Sequence, residues 1–274
     1  MSQKTICIAE IGENHIGNMD LAKQMIKDAA LAGADFVKFQ SYSARDVNAG
    51  DPEKEWFKKV ELTNKAHFEL KSAAERNNVS FLSSPFSLEK ARFLCEELRL
   101  KAVKVASGMM LNFDVLDYLN SSSVNTIFIS TGLSTVDEIK LALIHIKQIP
   151  RVYLLHCVVQ YPCRDEDANL RAISTLQKEF DLPVGYSDHT IGIEACMAAA
   201  ALGARVIEKH FTFDKDCPEG TDHVVSATKD EFTEMVSRIH KVEALLGNGI
   251  KEPTEGERSI LEFVRQRFLG DKKF

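Results

Sequence analysis

Two histidines in the second half of the chain each lie at the end of an apolar run. His189 ends the run VGYSDH, His210 ends ARVIEKH, and residues 191–203 between them have the pattern of a helix. A strand–helix–strand unit would bring both imidazoles to the carboxyl ends of neighbouring parallel strands, where such folds keep their active sites. Two neutral imidazoles side by side suit a divalent transition metal whose other ligands are oxygens. A metal site is therefore the first hypothesis, and two structural histidines are the alternative.

Two lysines, Lys38 and Lys104, also fall near the ends of apolar runs. A lysine that points into the interior is costly unless it meets an anion. With the hydroxyl groups nearby, the two lysines would suit a small phosphorylated carboxylic acid. Each serine or threonine has a simpler alternative as a helix N-cap, and Ser84, which precedes Pro85, could begin the next helix.

The elements that must position these residues alternate along the whole chain. Strand-like runs without polar alternation indicate burial on both faces, hence a parallel sheet. We predict strands at residues 5–10, 35–40, 80–83, 102–106, 126–131, 152–156, 183–187 and 205–210. We predict helices at residues 21–32, 64–77, 88–97, 112–120, 135–146, 169–180, 191–202 and 229–246.

Eight strands, each followed by a helix, favour a single-domain α/β fold, the (β/α)₈ TIM barrel. Residues 1–250 would form the barrel and residues 251–274 a charged helical tail. The alternative is an open doubly wound sheet, which would more often carry a glycine-rich phosphate turn after its first strand; EIGENH is not that pattern. The longest connection, residues 41–63, contains Trp56 and a predicted short helix near 52–59, and is a candidate lid or a surface excursion over the barrel rim.

Composition narrows the function classes. A chain of 274 residues with 45% hydrophobic content can bury one large core. Its net charge of −6, without basic tracts, argues against nucleic acid and anionic membranes as partners. We expect no signal peptide and no membrane span. Six scattered cysteines without CxxC spacing predict reduced thiols in a cytoplasmic enzyme.

Eight short motifs, in one order, resemble the barrel signatures of the sialic acid synthase (N-acetylneuraminate synthase) family. They are EIGENHIG from Glu10, VKFQ from Val37, SSPF from Ser83, KVASG from Lys104, STG from Ser130, HC from His156 with Tyr161-Pro162 after it, SDHT from Ser187 and KHFT from Lys209. The resemblance implies a carbohydrate-biosynthetic transferase that condenses phosphoenolpyruvate with an aldose. Phosphate would be released and a 3-deoxy-2-ulosonic acid formed.

The resemblance also implies roles for individual residues. His189 and His210 would hold a divalent metal, typically Mn²⁺, with Mg²⁺ or Co²⁺ as alternatives. The metal would polarise the aldehyde as a Lewis acid. Glu10 would be the general base for the water that completes the product, or else a structural carboxylate paired with Lys38. By the same resemblance, Lys38 and Ser130 would bind the phosphoenolpyruvate carboxylate; Lys104, Ser84, Ser107 and Ser187 its phosphate; and Glu10, Gln40, Tyr161 and Asp222 the acceptor sugar.

Three departures from the family pattern limit what carries over. Val159 replaces a small polar residue, so one phosphate contact is expected to be missing, and the loop before Asp222 is one residue longer than usual. Family members usually carry a C-terminal antifreeze-like domain that reaches the acceptor across a dimer, and we expect none within this sequence. The acceptor sugar is therefore not predicted, and a homo-oligomer or a separate partner chain could replace that domain.

Two other functions remain open from the sequence. A Schiff-base aldolase would use Lys104 or Lys38 as its nucleophile. A non-catalytic subunit would bind phosphoenolpyruvate or a sugar and work beside a partner chain.

Overall fold

Eight parallel strands form the centre of the molecule. The computed structural model describes residues 4–220 and 222–270. The strands are β1 (Ile6–Glu10), β2 (Phe36–Ser41), β3 (Ser80–Pro85), β4 (Ala102–Val105), β5 (Thr126–Ser130), β6 (Arg151–Cys157), β7 (Val184–Asp188) and β8 (Val206–His210). Their order is β3-β2-β1-β8-β7-β6-β5-β4, and β3 and β4 pack side by side at the seam. The predicted (β/α)₈ barrel is confirmed.

Helices surround this barrel. They are α1 (Met19–Leu31), α2 (Lys54–Val60), α3 (Asn64–Arg76), α4 (Leu88–Arg92), α5 (Phe113–Ser121), α6 (Val136–Ile144), α7 (Arg171–Phe180), α8 (Glu194–Ala201), α9 (Lys229–Leu246) and α10 (Glu255–Leu269). Helix α4 continues as a π-helical turn at Phe93–Glu97. The helix predicted at residues 191–202 begins at Glu194, three residues later than predicted, because residues 191–193 belong to the turn after β7. In the described residues, no helix is long and apolar enough to cross a membrane. The division into residues 1–250 and 251–274 stays a prediction.

The barrel interior changes from apolar to polar along each strand. Ile8, Leu82 and Phe128 belong to a buried apolar layer, which lies on the amino-terminal side of the polar residues at the strand ends. Side chains two residues apart on a strand share a face. The interior positions that follow this layer are therefore Glu10, Ser84 and Ser130, and the functional layer rests on an apolar one.

Three loops are joined over the carboxyl end of the barrel. Trp56, on α2 in the long connection after β2, donates from Nε1 to Glu13 Oε2 at 2.6 Å. Lys59 on the same helix forms an ion pair with Glu219 in the loop after β8. At Gly220, whose φ is +89°, a Cβ would lie 3.0 Å from the Trp56 ring. The long connection is therefore fixed to the loops after β1 and β8.

Candidate active site

The carboxyl end of the barrel contains a cavity of about 240 Å³. Of the twelve residues predicted for the site, eleven line it. They are Glu10, Lys38, Gln40, Ser84, Lys104, Ser107, Ser130, Tyr161, Ser187, His189 and His210. The twelfth, Asp222, lies behind His210, with Oδ2 3.7 Å from His210 Nδ1. The structure thus collects in one place residues from seven strands and the loops that follow them.

The two lysines meet across the interior at a carboxylate that the sequence analysis did not assign to the site. Lys104 Nζ lies 3.0 Å from Glu208 Oε1, and Lys38 Nζ lies 3.8 Å from Glu208 Oε2. Lys38 also pairs with Glu10 at 2.9 Å. Ser187 donates its hydroxyl to Glu208 Oε1 at 2.8 Å. A signal for Glu208 was present, because it precedes His210 by two residues on the same strand and must share its face.

Burial and ion pairing shift the pKa values of Glu10 and Glu208 in opposite directions. Burial alone would raise the pKa of Glu208, but Lys104 and Lys38 outweigh it and hold that pKa at about 2. For Glu10, burial dominates over Lys38 and raises the pKa to about 7. Burial also lowers the pKa of Lys104, against the opposing effect of Glu208. Glu208 is therefore a fixed charge, whereas Glu10 can exchange a proton near neutral pH, as a general base must.

The two histidines lie next to each other, as predicted. Their ring centroids are 5.4 Å apart, and the Tyr161 ring packs on His189 at 4.1 Å. His189 Nδ1 lies 2.7 Å from the Val158 carbonyl oxygen, so that nitrogen donates and Nε2 keeps its lone pair. Burial lowers the pKa of His210 to about 4, so its imidazole is neutral at pH 7.

A metal site needs ring nitrogens that keep a free lone pair. His210 Nδ1 is a buried nitrogen that has no hydrogen-bond partner among the described residues. Among the described residues, no group of three or more His, Cys, Asp or Glu side chains could hold a metal. Two imidazoles that keep free lone pairs fit a transition metal whose remaining ligands are oxygens from outside the protein. Although burial opposes it, Cys157 and the Val158 carbonyl raise the pKa of His189, so a proton would compete with a metal there.

The hydroxyl groups that line the cavity differ in whether they have a hydrogen-bond partner within the described residues. Ser107 Oγ accepts from Gly132 N at 3.2 Å, and a Cβ at Gly132 would lie 2.8 Å from that oxygen. Ser130 Oγ is buried without a hydrogen-bond partner among the described residues. Because an unsatisfied buried hydroxyl costs free energy, Ser130 fits a ligand contact. Val159, which departs from the small polar residue of the family pattern, lines the cavity with methyl groups.

Other polar residues near the strand ends serve the scaffold. Lys209 pairs with Asp188 at 2.7 Å, and both are buried on the helix-facing side of the sheet. Asn14 donates to the Phe211 carbonyl, and His156 Nε2 contacts the Ala168 carbonyl oxygen at 2.8 Å. His15 Nδ1 accepts from Gly17 N at 3.1 Å. These groups are not among the residues that line the cavity.

Comparisons with known proteins agree with this arrangement. Residues 25–251 match the model of the NeuB family. The N,N'-diacetyllegionaminic acid synthase of Campylobacter jejuni is 39% identical over 98% of this chain and 86% of its own length. The human N-acetylneuraminate-9-phosphate synthase is 36% identical over 89% of this chain and 72% of its own. The crystal structure of an N-acetylneuraminic acid synthetase from Leptospira borgpetersenii, in complex with citrate, superposes with a TM-score of 0.90 at 34% identity and covers 98% of this chain and 94% of that one.

Proposed function

Because this chain belongs to the NeuB family, we propose that it is a phosphoenolpyruvate-dependent sugar-acid synthase. The enzyme condenses phosphoenolpyruvate with an aldose, forms a carbon–carbon bond and releases phosphate. The observation that carries this proposal is the position of two buried lysines, Lys38 and Lys104, in one cavity with two adjacent imidazoles. Such a cavity can hold a carboxylate and a phosphate beside an aldehyde.

The two anionic groups of phosphoenolpyruvate fit different parts of the cavity. Lys38 and Ser130 would bind the carboxylate, and the unpartnered Ser130 hydroxyl is available for it. Lys104 would bind the phosphate, with the hydroxyls of Ser84, Ser107 and Ser187 around it. Both lysines already face carboxylates, so the site holds its cations in place before substrate arrives.

His189 and His210 are the residues that would hold Mn²⁺, with Mg²⁺ or Co²⁺ as alternatives. When bound, the metal supplies Lewis acidity to the aldehyde oxygen of the acceptor. Glu10, whose pKa is near 7, would take the proton of the water that adds to the former enol carbon. Tyr161 and Gln40, which line the cavity, would contact the acceptor, and the Asp222 carboxylate lies near His210, with Oδ2 3.7 Å from Nδ1.

One contact weighs against a Schiff-base aldolase. A nucleophilic lysine must be neutral, but Lys104 lies 3.0 Å from Glu208, a carboxylate that stays ionised. Glu208 thus opposes the fall in the pKa of Lys104 that burial causes, and Glu10 with Glu208 outweighs burial and raises the pKa of Lys38, which favours its ammonium form. All six cysteines are free thiols, which supports a cytoplasmic location. A homo-oligomer or a partner chain would cover the cavity mouth, where the lining residues Leu133 and Phe86 are exposed.

The test is a phosphate-release screen with phosphoenolpyruvate, Mn²⁺ and a panel of hexoses, amino sugars and their phosphates. We expect release with one acceptor class, loss of release with chelator, and loss in both His189→Ala and His210→Ala. Metal binding by these variants, measured by calorimetry, separates a ligand role from a folding defect. Covalent trapping by borohydride with a keto acid would instead establish the aldolase. Binding of phosphoenolpyruvate without turnover of any sugar would indicate the non-catalytic subunit.

A further inference from the structure

The opposite, amino end of the barrel contains a second cavity of about 490 Å³. Its floor is aromatic: Tyr153 stacks on Phe128 at 5.1 Å, and Phe36 meets Phe128 edge-on at 5.5 Å. Small side chains at Ser80 and Ala102 leave the first interior layer unfilled on one side. Cavities of this size, with an apolar floor and a few polar groups, are typical of small-molecule sites.

The rim of this second cavity is cationic. Among the described residues, the charged side chains that line it are four basic ones, Lys71, Arg99, Lys101 and Arg151, and one acidic one, Glu75. Lys71 is already paired with Glu75 at 2.9 Å. The local charge of the remaining rim is therefore +3 in a protein whose net charge is −6.

Three of these cations have no carboxylate partner among the described residues. Arg151 donates to the neutral Asn125 Oδ1 at 3.0 Å, and neither Arg99 nor Lys101 forms an ion pair there. Unpaired cations that surround one concave surface create a positive potential that attracts anions. The hydroxyl of Tyr153, which also lines the cavity, makes no hydrogen bond within the described chain.

We propose that the amino-end cavity binds a phosphorylated small molecule. Its phosphate contacts Arg99, Lys101 and Arg151, and its body lies against the aromatic floor. Guanidinium groups suit phosphate because they donate two parallel hydrogen bonds to its oxygens. The site is separate from the catalytic cavity, since the apolar layer that includes Ile8 and Leu82 lies between them. A ligand here can still influence catalysis, because Lys101 directly precedes β4, the strand that carries Lys104.

Calorimetric titration tests this proposal with three probes: inorganic phosphate, glucose 6-phosphate and adenosine monophosphate. We expect saturable binding of at least one probe. Lys101→Gln and Arg151→Gln should each weaken it about fivefold, as expected for a half-exposed charge contact. The matched control is Lys140→Gln, which removes a surface cation paired with Glu179 outside the cavity and should leave the affinity unchanged. Equal binding of all three probes would mean that the phosphate alone is recognised. Tighter binding of one probe would identify the kind of group that lies against the aromatic floor.

The catalytic cavity could bind the same probes, so Lys104→Met is titrated in parallel. Binding that survives in Lys104→Met but weakens in Lys101→Gln and Arg151→Gln supports the proposal. Binding that is lost in Lys104→Met and unchanged in the two rim variants would assign the ligand to the catalytic cavity and overturn it. The absence of saturable binding of any probe at millimolar concentration would overturn it as well. Unfolding midpoints of all variants exclude a folding defect as the cause.

Discussion

The two ends of the barrel differ in how their positive charges are stabilised. At the carboxyl end, Lys38 and Lys104 are at most 5% exposed, and each faces a carboxylate within 3.0 Å. At the amino end, Arg99 and Lys101 are exposed, and neither faces a carboxylate within the described part of the chain. The difference follows from desolvation, because a buried ammonium needs a counter-charge whereas water stabilises an exposed one. The carboxyl-end cations are therefore part of the stability of the fold, and the amino-end cations are not.

The largest effect that this comparison predicts is on stability. Glu208→Gln removes the counter-charge of Lys104 and leaves a buried ammonium unpaired, which should cost about 3–5 kcal/mol of unfolding free energy. Urea denaturation measures it. The control is Glu219→Gln, which breaks the half-exposed pair with Lys59 and should cost at most about 1 kcal/mol. Similar losses in both variants would remove the distinction between buried and exposed pairs.

The second prediction concerns substrate affinity. If Lys104 binds the phosphate as proposed, Lys104→Met removes one charge-assisted contact worth about 1.5–3 kcal/mol. The affinity for phosphoenolpyruvate should fall roughly 10- to 150-fold. Lys38→Met should cost a similar amount through the carboxylate. Calorimetry measures both, and unchanged affinity in both would mean that the lysines serve only the barrel.

The third prediction is a pH dependence at the carboxyl end. Burial raises the pKa of Glu10 from 4.5 to about 7, so its base form increases as pH rises through neutrality. If Glu10 is the base, kcat/KM should climb about tenfold per pH unit below 7 and level off above it. Glu10→Gln should abolish this rise of kcat/KM with pH. Glu13→Gln, which alters a buried carboxyl with a raised pKa outside the cavity, should keep it.

The same shift links Glu10 to stability. Between pH 4.5 and 7 the folded chain retains a proton on Glu10 that the unfolded chain has released. The stability that this group contributes is therefore complete below pH 4.5 and is lost as pH rises through 7. Urea denaturation of Glu10→Gln across this range should show a flatter pH dependence than the unaltered chain. An identical dependence would contradict the assigned direction of the shift.

The smallest expected effect lies at the amino end. Lys101→Gln removes an exposed cation without an ion-pair partner, so the unfolding free energy should change by no more than about 0.5 kcal/mol. Urea denaturation under the conditions used for Glu208→Gln gives the comparison. A loss as large as that of Glu208→Gln would show that the amino-end cations also support the fold.

Much of the site could be predicted because strand periodicity is local. The apolar runs before His189 and His210 predict two buried strands, and parallel strands bring their carboxyl ends together. The histidines therefore had to be neighbours once the fold was a barrel. Ser84 and Lys104 follow from the same pattern. Helix α9 was also predicted at its observed bounds, and the structure shows a capping box of Thr228 and Glu231 at its start.

The tertiary structure alone decided which charges meet. Lys104 and Glu208 are 104 positions apart, and their contact exists only because closure of the barrel places β4 opposite β8. Alternation places Glu208 on the same face as His210 and its neighbour Lys209 on the other face, but the sequence does not say which charged groups each of the two meets. Barrel closure points Glu208 into the cavity and Lys209 towards Asp188 among the helices. The sequence determined the elements and the residue types at their ends. The three-dimensional closure of the sheet determined the charge pairs, because electrostatic energies depend on distances through space rather than along the chain.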